Sequence, residues 1–97
     1  MKIVGLEHFA GCVGEGFDID LGAASVPLTL AQAEPLAGDV RGVARRVPFS
    51  LMFRSTSAVV LPQQTYRLRN ASLGALDVFL VPVARERAGI VYQAVYN

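Results

Sequence analysis

Strict alternation of apolar and polar residues, in short blocks set between glycine- and proline-bearing turns, constrains this chain more than any other feature. In Phe17-Asp18-Ile19-Asp20-Leu21 the apolar side chains fall on one face and the aspartates on the other, the period of a half-buried strand. The pattern returns over 47–54, where Val47, Phe49, Leu51 and Phe53 share one face and Ser50, Met52 and Arg54 take the other. Further strands are expected over 26–36, with Pro27 and Pro35 suiting an edge, and over 64–69, 75–83 and 90–96. Only 5–13 carries helical spacing, through Leu6, Phe9, Ala10 and Val13, and Gly14 and Gly16 end it. The expected fold is mainly β: one small antiparallel β-barrel or sandwich over 1–97, of about six strands with one short N-terminal helix.

Loop lengths propose the hairpin registers. Closing 70–74 symmetrically sets Arg69 opposite Ala75, Leu68 opposite Leu76 and Arg67 opposite Asp77, an ion pair across the strands. Phe49, Leu51, Phe53, Tyr66, Leu68, Leu76, Val78 and Leu80 then form the core. Closing 84–89 sets Val81 opposite Tyr92 and Phe79 opposite Ala94. In that register Phe79, Val81, Val83, Tyr92 and Tyr96 all face away from the core. Such a strip approaches the largest apolar patch that monomers expose. A helix of about nine residues, ~14 Å long, covers only part of it. An interface is expected there, with Tyr92 and Tyr96 as aromatic anchors and Arg85 and Arg87 at its rim.

Composition removes several classes. With 53% apolar and 18% charged residues in 97, the chain buries enough surface to order itself. No apolar run reaches the roughly 18 residues of a membrane span. No segment reads as a signal peptide, so a cytoplasmic location is expected, with later incorporation into a larger particle left open. One cysteine allows neither a disulfide framework nor a multi-cysteine metal site. The net charge of +1 hides two halves. Residues 1–40 hold six acids against Lys2, while 41–97 hold eight arginines against Asp77 and Glu86. Nucleic-acid binding would draw on a stronger overall positive charge. Complementary packing of an acidic half against a basic half is the reading preferred.

Catalytic groups are scarce. His8 and Cys12 stand at i and i+4, within reach of one another on a helix, yet nothing nearby orients the histidine. A buried apolar cysteine beside a surface histidine accounts for them. Asp18 and Asp20 present paired carboxylates from one strand, a pattern equally suited to a solvated face. The glycines of 11–16 match no phosphate-binding fingerprint, because a strand follows them and not a helix. No catalytic, cofactor or metal residue is assigned.

From Pro48-Phe49-Ser50-Leu51-Met52-Phe53-Arg54 onward, the chain resembles a small bacterial domain-of-unknown-function family. Leu61-Pro62-Gln63-Gln64-Thr65-Tyr66, Leu73-Gly74, Phe79-Leu80-Val81-Pro82-Val83 and Tyr92-Gln93-Ala94-Val95-Tyr96-Asn97 carry the likeness, with Phe9 and Gly14-Glu15-Gly16-Phe17. Gln64 stands where the family usually has glycine, and Tyr96 where phenylalanine is more usual. The resemblance implies no catalytic motif. It does imply proximity to phage-tail-collar-type fibre proteins, and so an accessory or assembly role. The expectation is a non-catalytic structural or interaction protein, self-associating or docking on a fibre-like partner. The alternative is a small-ligand-binding barrel or weak enzyme using the acidic strand face and the His8/Cys12 helix.

Overall fold

The computed structural model describes residues 5–36 and 48–96. One helix, α1 (Leu6–Ala10), precedes six strands: β1 (Gly16–Asp20), β2 (Ser25–Pro35), β3 (Phe49–Ser55), β4 (Gln64–Asn70), β5 (Gly74–Glu86) and β6 (Gly89–Tyr96). All pairings are antiparallel, and the order β1-β2-β3-β6-β5-β4 closes into a barrel when β4 meets β1. The open choice between barrel and sandwich is thereby settled as a barrel. Residues 37–46, whose glycines and arginines lead one to expect a loop, and Val47 lie outside the described residues.

Alternating side chains fill the barrel. Phe17, Ile19, Leu30, Phe49, Leu51, Phe53, Leu68 and Leu80 are fully enclosed, and Leu76 is partly so. Phe53 meets Phe17 edge-on at 5.3 Å between ring centroids. One end is closed by α1, whose Phe9 packs at 5.9 Å from Phe49 and 5.7 Å from Tyr96. The other end is closed by the segment before β4. There Tyr92 Oη accepts the Leu61 N–H at 3.0 Å, and the Tyr66 hydroxyl donates to the Pro62 carbonyl. These two bonds give the apolar Val59-Val60-Leu61 loop its anchor.

The prolines of β2 sit where that strand has a single neighbour. Pro27 pairs only with β1 and Pro35 only with β3, so neither missing N–H breaks a ladder. Unbroken alternation from Val26 would put Leu28, Leu30, Gln32 and Glu34 on one face, and it holds only to Leu30. A bulge between Leu30 and Gln32 turns Gln32 and Glu34 outward and brings Ala33 against the core.

The β4–β5 hairpin has the register that its loop proposed, including Leu68 opposite Leu76 and Arg67 opposite Asp77. The β5–β6 hairpin does not. Its loop is only Arg87-Ala88, since Glu86 already pairs with Gly89, and Val81 stands opposite Gln93 instead of Tyr92. The residues of 84–89 are polar because they form an exposed strand end, not because they form a loop. A shift of one residue carries every side chain of a strand to the other face. Tyr92 is therefore inside, 1% exposed, and Tyr96 stacks on Phe49 at 4.8 Å. The expectation that both face away from the core is corrected here.

Candidate functional site

The outer surface of β3, β6 and β5 is the most apolar exposed face that these strands build. Across it Ser50 pairs with Val95, and Met52 pairs with Gln93, which pairs in turn with Val81. Phe79 is 51% exposed and Val95 49%, with Val81 half-buried beside them. Closer to the β5–β6 turn, Val83 is 45% exposed where the register slips between Pro82 and Ala84. Together with Met52, Arg54 and Val91 it lines a shallow groove. The Arg54–Glu86 ion pair, 3.4 Å, borders that groove.

The seven residues expected at one interface thus fall in three places. Phe79, Val81 and Val83 face outward from β5, as expected. Tyr92 and Tyr96 belong to the core. Arg85 and Arg87 stand at the β5–β6 turn, six or more residues and so ~20 Å along the strand from Phe79; they do not rim its strip. Val95 belongs to the exposed outer face and escapes the sequence reading, as does Val91, which lines the groove although only 8% exposed. Pro82 was the available signal: a proline inside a long strand marks an edge or a bulge, and here the slip follows it.

The His8/Cys12 pairing is not formed, because α1 ends at Ala10 and Gly11 caps it. His8 Nδ1 instead accepts the Gly5 N–H at 3.0 Å, closing the first turn of the helix. Cys12 is buried in the following turn beside Glu15 and Ser72. Burial, and then the Glu15 carboxylate, push its thiol pKa up, away from the thiolate a nucleophile needs. Glu15 Oε1 accepts from Asn70 Nδ2 at 3.2 Å and from Ser72 Oγ at 3.0 Å. Asn70 also donates to the Gly16 carbonyl and accepts the N–H groups of Ser72 and Leu73, each at 2.9 Å. This cluster ties the turn before β1 to the β4–β5 loop, a structural use for Glu15, Asn70 and Ser72.

The acidic strand face is partly neutralised in the same way. Asp20 accepts the Gly22 N–H at 2.8 Å and faces Arg69 at 3.1 Å. The Gly22 N–H, and then Arg69, hold its carboxyl below the usual range. Arg67 faces Asp77 at 3.2 Å on the neighbouring strand. Asp20–Arg69 joins the acidic half of the sequence to the basic half. Among the described residues, no three His, Cys, Asp or Glu side chains gather as a metal site would require.

A family model described as a domain of unknown function (DUF6916) matches residues 4–96. No curated protein and no solved structure matches the chain.

Proposed function

Since the chain belongs to the DUF6916 family, we propose, from its own residues, that it is a non-catalytic interaction domain docking on a protein partner. The outward strip of Phe79, Val81 and Val95 carries this reading. A closed barrel has little free strand edge to offer a partner, so docking uses side chains on a face. Phe79 supplies the aromatic anchor that Tyr92 and Tyr96 do not, and the valines beside it supply desolvated area. The partner proposed is a fibre-like protein of a phage-tail-like particle, on the strength of the resemblance in 48–97. The alternative, a small-ligand-binding barrel or weak enzyme using the acidic strand face and the His8/Cys12 helix, is less well supported, because the helix end separates His8 from Cys12 and Arg69 partly neutralises Asp20.

Size-exclusion chromatography with light scattering, after co-expression with a fibre-like protein from the genomic neighbourhood, tests the proposal. Wild type should co-elute with that protein. Phe79→Glu with Val95→Glu should keep the thermal midpoint within about 4 °C, as exposed substitutions do, yet elute alone. Co-elution of the double variant would overturn the strip as the docking face. A wild type that forms homo-oligomers through the strip and ignores the fibre-like protein would replace that partner by a second copy.

A further inference from the structure

Among the described residues, Arg85 and Arg87 are cations that the fold leaves unused. Arg54, Arg67 and Arg69 each face a carboxylate, of Glu86, Asp77 and Asp20. Among the described residues Arg85 and Arg87 face none. Glu86 stands between these two in the sequence, and its carboxylate faces Arg54 at 3.4 Å. The neighbouring acid is thereby engaged by a third arginine.

The two arginines line a cleft of about 110 Å³ with Thr56, Ala58, Glu86, Gly89 and Ile90. This cleft has two fixed walls. The hairpin forms one. The other is the chain after β3, held where Ser57 N–H meets Ser55 Oγ at 3.0 Å and Val59 N–H meets Ser57 Oγ at 3.2 Å. Gly89 lets the walls meet, because the Ser55 carbonyl occupies the space a Cβ there would need. Ile90, 2% exposed, gives the cleft an apolar floor.

We propose that this cleft recognises a carboxylate side chain on an acidic peptide segment of a protein partner. Guanidinium groups present planar donor forks that match a carboxylate, and an apolar floor accepts the methylene stem that carries it. Nucleic acid fits less well. It requires a continued basic track along its backbone, whereas Glu86 and Ala88 alternate with these arginines and the net charge is only +1. The site is independent of the Phe79–Val95 strip, and either can fail without the other.

The test uses the full chain, ¹⁵N-labelled, titrated with an acetylated tetrapeptide bearing two glutamates. Saturable amide shifts are expected at Thr56, Ala58 and Gly89, weakening at least 5-fold in Arg85→Gln/Arg87→Gln and weakening with added salt. The same peptide with glutamines in place of glutamates should shift these amides far less. Core amides such as Leu68 report that the double variant is folded. Equal binding by the glutamine peptide, or by the double variant, would overturn the site. Shifts produced by oligothymidylate and not by the acidic peptide would reassign it to nucleic acid.

Discussion

Gly89→Ala is expected to remove about 2–6 kcal/mol of the protein's stability, several times the loss in an ordinary glycine variant. Gly89 has φ of 149°, a region that side chains rarely enter, and the Ser55 carbonyl lies where the new methyl group would sit. The backbone conformation alone costs about 1–3 kcal/mol in a residue other than glycine. Forcing a methyl into occupied space adds roughly 1–3 kcal/mol or more, and the obstacle is backbone, not a side chain that can turn aside. Relief requires β3 and β6 to part where Ser55 pairs with Ile90. Against a total stability of about 5–15 kcal/mol for a small domain, such a loss is severe. Gly22→Ala is the control. Gly22 also has positive φ, 86°, but a Cβ there meets nothing within 4 Å, so only the local cost of about 1–2 kcal/mol applies. Urea unfolding of the two variants separates close approach from backbone conformation. Equal losses would mean that Ser55 does not pack against the turn.

Phe53→Ala is expected to cost on the order of 3–5 kcal/mol, the usual price of deleting an enclosed aromatic. Phe53 pairs with Leu30 on one side and Tyr92 on the other, and meets Phe17 across the barrel. Its removal leaves a void that four strands border, and none can collapse inward without breaking a ladder. A thermal scan should show a fall of 10 °C or more, at about 4–8 °C for each kcal/mol in a domain of this size. An unchanged midpoint would contradict the core face assigned to β3.

What was legible in the sequence follows the locality of the forces. The β4–β5 register could be derived because Asn70 and Gly74 bound a short loop, where Asn70 accepts two loop N–H groups and Gly74 takes φ of 76°. Alternation alone identified Phe49, Leu51 and Phe53 as buried, because a strand with one polar face has a single way to sit. The barrel's closure was not legible. It depends on Ile19 meeting Leu68, residues far apart in sequence that no local rule connects. The two bulges were also hidden, since an extra residue inside a strand breaks the period on which the reading relies. At Ala31 the consequence was small. At Val83 the register of β5 on β6 changed, and with it the membership of the candidate surface: tyrosines went in and Val95 came out.

That register is the claim on which the proposed surface stands, and cross-strand nuclear Overhauser contacts measure it most directly. Backbone contacts joining Val81 to Gln93 and Phe53 to Tyr92 are predicted, with the Tyr92 ring close to the core methyl groups. Contacts joining Val81 to Tyr92 and Phe79 to Ala94 would put the tyrosines outside and contradict the account.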